Sequence, residues 1–216
     1  MIHLPPECGV NQPLNLLGTI TVLRAIEKAP VIFLIDETHE ESCIKQNVSN
    51  ATELVGKCGI KLVGVESLYG GFVWDDVIHR GYTEGFEQGD RLEPANNFPQ
   101  FADALRKLDV PVVGLECQGL ANALESDCVD NPGPPIGDRP LNLERSRHFV
   151  RTLFEIATQR NLTGNMILNA GGNHNTHIAT WVADGSIDSM VPVVASYVRL
   201  RPPLYRAEPT GKVFAA

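Results

Sequence analysis

The chain has 216 residues, 43% of them apolar, with a net charge of −8 and a pI near 5.2. That is enough apolar sequence for a sizeable core and excludes a disordered chain, while the acidic balance disfavours nucleic acid or an anionic membrane as the main partner. No apolar stretch approaches the roughly 20 residues of a membrane helix, and the five scattered cysteines contain no CxxC pair, so neither a cysteine zinc site nor a disulfide framework is expected.

In chain order, the opening "MIHLPPECGVNQP" lacks a basic start and a long apolar run, so no signal peptide is expected and the expected compartment is the cytoplasm. The sequons at Asn47, Asn50 and Asn161 then read as chance matches. Residues 19–30, "TITVLRAIEKAP", place Ile20, Leu23 and Ile26 at helical spacing before Pro30 and predict a helix. "VIFLI" (31–35) is a β-branched apolar run, which suits a central strand covered on both faces. A short helix follows over 49–60, with Ser49 or Asn50 as its cap and Gly59 as its stop, then a strand over 61–66. A helix is expected over 96–110, a strand over 111–116, the longest helix over 141–161, a strand over 165–172, a helix over 175–185 and a last strand over 190–200. Alternation of strands and helices argues an α/β fold: a mostly parallel sheet flanked by helices, in a single domain spanning 1–216. Two Gly-, Asp- and Pro-rich excursions, 70–94 and 126–140, are long enough to be lids over a site.

The strand ends carry the chemistry. The first ends in Asp36, Glu37, Thr38 and His39, the second at Glu66, the third at Glu116, and the fourth runs into "AGGNHNTH" with His174 and His177. Parallel strands bring their carboxyl ends to one rim, where open α/β sheets bind ligands. Glu37 and His39 share a side if the chain stays extended, and His174 and His177 share a face if a helix has begun. Gly171 and Gly172 would give tight backbone approach and positive φ before that helix, whose exposed N–H groups favour an anion. No Gly-x-Ser-x-Gly elbow, Gly-x-Gly-x-x-Gly or Walker loop is present.

Four motifs, "DETH" (36–39), "GVE" (64–66), "ERSRHF" (144–149) and "GGNH" (171–174), in this order over roughly residues 20–200, resemble the superfamily of Tiki proteases, TraB-type proteins, ChaN-like haem-binding proteins and erythromycin esterases. One departure is Asp36, where that group usually has Gly. The resemblance implies a site at Glu37, His39 and His174, with an arginine early in the long helix. Arg147 is the expected one, to hold a carboxylate or an oxyanion, and Arg145 and Arg151 are its competitors.

Glu66, Asp36, Glu116 and His177 are the expected substrate-binding groups; helix caps, buried ion pairs and solvated turns are the plainer reading of each. Cys117 reads as a small buried thiol, and Tyr69, Trp74 and Tyr82 as pocket walls or ordinary packing. The expected activity is hydrolysis of an ester or peptide bond in a small-molecule or peptide substrate. Glu37 or His39 would act as base on water, His174 as second base. If a divalent metal ion takes part, Glu37, His39 and His174 would hold it. The alternative is a haem- or ligand-binding protein without catalysis. A homodimer is compatible with either reading.

Overall fold

The computed structural model describes residues 1–38, 41–69, 73–74 and 107–203. His39, Tyr82, most of 70–94 and residues 96–106 of the expected third helix lie outside them.

One sheet of seven strands organises the described residues: β1 Thr19–Arg24, β2 Val31–Glu37, β3 Ile60–Tyr69, β4 Val73–Trp74, β5 Val112–Glu116, β6 Asn165–Gly171 and β7 Ser196–Arg201. Their order across the sheet is β1-β7-β2-β6-β3-β5-β4. The five inner strands run parallel, and β1 and β4 close the edges antiparallel. The helices are α1 Glu41–Cys58, α2 Gln118–Asp130, α3 Pro140–Gln159 and α4 Gly172–Asp184. The α/β fold with a mostly parallel sheet is therefore as expected. None of the described helices is long and apolar enough to cross a membrane.

Strand β2 shows why a run without polar alternation belongs at the centre. Val31, Phe33 and Ile35 enter one apolar layer, with Ile44, Ala51 and Leu54 of α1 and Leu4, Leu14 and Leu16 of the N-terminal segment. Ile32 and Leu34 enter the other, with Phe149, Val150 and Leu153 of α3 and Ile178, Trp181 and Val182 of α4. Both faces are covered, so period-2 patterning disappears. Strand β6 repeats this, with Ile167 on the α1 side and Met166, Leu168 and Ala170 on the α3–α4 side.

The expected helix over 19–30 is a strand. Thr19, Ile20, Thr21 and Val22 are β-branched and fit a pleated surface, and β7 offers the partner edge, with Ile20 opposite Leu200. Gly18 permits this entry: its φ is 98°, and a Cβ there would sit 2.1 Å from the Arg201 carbonyl oxygen.

Helix α1 begins at Glu41, so Asn50 lies inside it and is no cap. Its amide accepts from the Leu17 N–H at 2.7 Å and donates to the Leu17 carbonyl at 3.0 Å, tying the N-terminal segment to α1. Gly59 stops the helix at φ 59°, as expected.

Helix α2 was not expected. Leu124 is its only buried residue, so it carries no apolar stripe. Strand β7 starts at Ser196, not near 190, because Pro192 cannot join a ladder and Ser186–Ser189 forms a 3-10 turn.

Candidate functional site

The carboxyl ends of β2, β3, β5 and β6 lie side by side, and α4 starts directly after β6. Glu66 leaves β3 on the α3–α4 side. Its Oε2 accepts the Gly171 N–H at 2.5 Å, and its Oε1 lies 3.2 Å from both Arg145 Nη2 and His174 Nε2. Burial alone would raise this carboxyl group. The hydrogen bond and charge of His174, the Gly171 amide and Arg145 outweigh it and hold the group down at about 2. Glu66 is an anion at any physiological pH.

Arg145 bridges two strands. Its Nε donates to Glu116 Oε1 at 3.2 Å, its Nη2 pairs with Glu116 Oε2 and reaches Glu66, and its Nη1 donates to Asn142 Oδ1 at 3.3 Å. Burial would lower the guanidinium, but the two glutamates raise it above its ordinary value. With Nε, Nη1 and Nη2 all engaged, Arg145 fixes the glutamates. The expected arginine, Arg147, is displaced by about 200° around the helix from Arg145. It pairs with Glu144 at 3.1 Å, lies over the Trp181 ring and is 38% exposed, so it does not reach the glutamates.

His174 lies against Phe149, with ring centroids 4.7 Å apart, and is 4% exposed. Its Nδ1 lies 2.7 Å from the hydroxyl of Ser146, which also lies 2.8 Å from His177 Nδ1 and 2.9 Å from the Asn142 carbonyl, an acceptor for its proton. His177 Nε2 meets the Gly137 carbonyl at 2.9 Å. Burial lowers the pKa of His177; the Gly137 bond and Asp138 oppose that, while His174 and Arg147 add to it.

The spacing Ser146–His174–Glu66 has the order of an acyl-transfer triad. Ser146 is nevertheless fully buried and already has three partners, so its oxygen cannot reach a substrate.

Glu37 leaves β2 on the α1 side, next to Asn169, whose Nδ2 donates to Glu37 Oε2 at 2.5 Å. Opposite it in the ladder is Gly171, the residue whose amide holds Glu66. Glu37 and Glu66 thus flank the end of β6 from neighbouring strands and from opposite faces of the sheet.

Asp36, expected to bind substrate, is instead buried in a bidentate pair with Arg199 of β7. Arg199 Nε donates to Oδ1 at 2.9 Å and Nη2 to Oδ2 at 2.8 Å. Asn175 adds 3.0 Å to Oδ1, and Arg199 also donates to the Gly172 carbonyl and Thr176. The pair fastens β2, β7 and α4 together. An arginine inside the apolar run "SYVRL" must be paired if buried, and that is the signal that identifies it.

Gly171 and Gly172 do not have positive φ. Their small size is what matters: a Cβ would come 3.3 Å from Glu66 Oε2 at Gly171 and 3.5 Å from Asp36 Oδ2 at Gly172.

Of the sequence-expected groups, Glu66, Glu116, His174 and His177 belong to one connected network. Glu37 lies beside it across β6, Asp36 is structural, and His39 is outside the described residues. The excursion 126–140 ends α2, passes through a 3-10 turn at Ile136–Asp138 and reaches His177 through Gly137. Arg139 holds it folded by pairing with Asp127 at 2.5 Å and with the Asn131 carbonyl at 2.8 Å.

His39, one of the three expected metal ligands, lies outside the described residues; among those described, both ring nitrogens of His174 are committed to Glu66 and Ser146, and no group of three His, Cys, Asp or Glu could hold a metal ion. Taking haem iron on His174 would likewise break one of these bonds. A cavity of about 610 Å³ lies at the other end of the sheet, near Pro30, Phe154, Leu162 and Met166. Its lining is mostly apolar and holds none of the acid–base groups.

Fold and site together define a parallel α/β protein with an acid–base network at the carboxyl rim of its sheet. Compared with known proteins, no family model, no curated protein and no solved structure matches the chain.

Proposed function

We propose that the protein is a hydrolase acting on an ester or peptide bond, with its reaction centre over the end of β6. The observation that carries this reading is the pair of carboxylates flanking Gly171: Glu37 on one side, and on the other Glu66, ionised and coupled to a buried imidazole. Glu37, held by Asn169, takes the proton from a water that attacks the carbonyl carbon, with His39 beside it in sequence. The oxyanion forms at the start of α4, where the first N–H groups of a helix have no partner within it. The leaving group takes its proton from water at the rim, in the field of the buried Glu66–His174 pair, whose ring nitrogens are both engaged. Glu66 is too acidic to be the donor itself; its fixed charge orients His174, as a carboxylate orients the imidazole in other hydrolytic sites. Arg145 holds Glu66 and Glu116 in place.

The test is turnover of a panel of chromogenic esters and fluorogenic peptides. Glu37→Gln and His174→Gln should each lower kcat/KM by about 10²–10⁴, with the fold retained by circular dichroism. His174→Ala is a poor choice, because the ring is buried against Phe149 and its loss leaves a cavity and a stranded Glu66. A chelator should leave turnover unchanged. No turnover across the panel, together with a saturable Soret shift on titration with hemin, would replace this reading with that of a haem-binding protein.

A further inference from the structure

The contacts of the Ser146 hydroxyl pose a proton-counting problem. The Glu66 carboxylate and the Gly137 carbonyl can only accept, so the nitrogens facing them, His174 Nε2 and His177 Nε2, must each carry a proton. In a neutral imidazole the other nitrogen, Nδ1, is then a bare lone pair. Both Nδ1 atoms point at Ser146, at 2.7 and 2.8 Å, and the Asn142 carbonyl lies 2.9 Å away. One hydroxyl proton would face three acceptors, with two imidazole links to fill. Those links fill completely when the pair of rings holds one extra proton.

The extra proton has two placements. In the first, His174 is the cation: its Nδ1–H donates to Ser146 Oγ, and the Ser146 O–H donates to His177 Nδ1. In the second, the Ser146 O–H donates to His174 Nδ1, and the Nδ1–H of a cationic His177 donates to Ser146. Two protons moving by less than an ångström convert one into the other, with no atom gained or lost and the net charge unchanged. The surroundings rank them. His174 faces the Glu66 anion, with Arg145 and Glu116 behind it. His177 faces His174, Arg147, Asp138 and the Gly137 carbonyl, and burial holds it below its ordinary value. The charge therefore rests on His174 and visits His177, the more exposed of the two rings.

We infer that Glu66, His174, Ser146 and His177 form a proton relay, with Ser146 as the switch that passes a proton between the buried imidazole of His174 and the half-buried one of His177, the outlet beneath the 126–140 segment. Its use in turnover rests on the hydrolase reading, where moving the charge between His174 and His177 changes the field beside the reaction centre. The relay itself does not depend on that reading.

The experiment is ring-nitrogen NMR of protein labelled with ¹⁵N-histidine, as wild type and as Ser146→Ala, which removes one buried oxygen and keeps a good helix former. Expected in the wild type, once the pair of rings holds its extra proton, is a His174 ring protonated at both nitrogens and a His177 ring protonated at Nε2 alone. As pH falls, the resonances of the two rings should shift together. In Ser146→Ala each ring should follow its own single-site curve. Should that variant fail to fold, Ser146→Cys and His177→Gln give the same uncoupling. Two rings that titrate independently in the wild type, or titration curves unchanged by the substitution, would overturn the relay. In the turnover assay Ser146→Ala should lower kcat about tenfold with KM unchanged. Coupled rings without turnover keep the relay and overturn the hydrolase; turnover with uncoupled rings does the reverse.

Discussion

Without Arg145, Glu66 and Glu116 would face each other with no cation between them, both largely buried. Removing one partner of a buried charge cluster costs about 3–5 kcal/mol. Arg145→Met should therefore lose stability on that order in urea unfolding. Arg147→Ala, which loses only an exposed pair and a ring contact, should stay within about 0.5 kcal/mol. Equal losses in the two variants would remove Arg145 from its assigned place. Glu66 makes a pH prediction of its own. Its folded-state value of about 2 lies below the usual carboxylate value of 4.5, so it stabilises the fold above the unfolded value. That stabilisation, on the order of 3 kcal/mol, is lost as pH falls from about 4.5 towards about 2. The gap in urea midpoint between wild type and Glu66→Gln should be constant near neutrality and shrink through that window.

At the scale of elements, what the sequence revealed depended on whether a local pattern agreed with its neighbours. Strand β2 was legible because an apolar run of five residues can only be satisfied by cover on both faces. Strand β1 was not: Ile20, Leu23 and Ile26 fit a helical period, and only the free edge of β7 turns the segment into a strand. Helix α2 buries Leu124 and little else, so no stripe announced it. In α3 the candidate arginines sit at 145, 147 and 151, and choosing among them needs the phase of the helix against β3 and β5. Ser146 escaped notice because its role exists only where α3 crosses α4. Gly64 gives a packing test of the place where α3 lies on β3 and β5. A Cβ there would lie 2.9 Å from the δ-methyl groups of Leu115 and Leu153. These are side-chain ends, which can shift, so Gly64→Ala should cost about 1–3 kcal/mol and lower the melting temperature without altering the sheet signal in circular dichroism.

At the scale of the whole molecule, the four strand ends, three acidic and one followed by histidines, did mark one rim, but the rim has two faces, and a list of strand ends does not say which face each side chain takes. Alternation along β2 sends Glu37 towards α1 and Asp36 towards α4, and alternation along β3 sends Glu66 towards α3. Glu37 and His174 are thus separated by the end of β6, a distance set by strand spacings of about 4.8 Å. If a single substrate lies across that end, the two residues serve one reaction although they do not touch. Their substitutions should then be strongly non-additive in kcat/KM: Glu37→Gln combined with His174→Gln should be little slower than the worse single variant, as happens for groups that act as a unit. In urea unfolding the same two changes should add to within about 0.5 kcal/mol, because the two side chains leave the sheet on opposite faces. Kinetic effects that multiply would mean that the two residues act independently of each other, and would overturn their assignment as a unit.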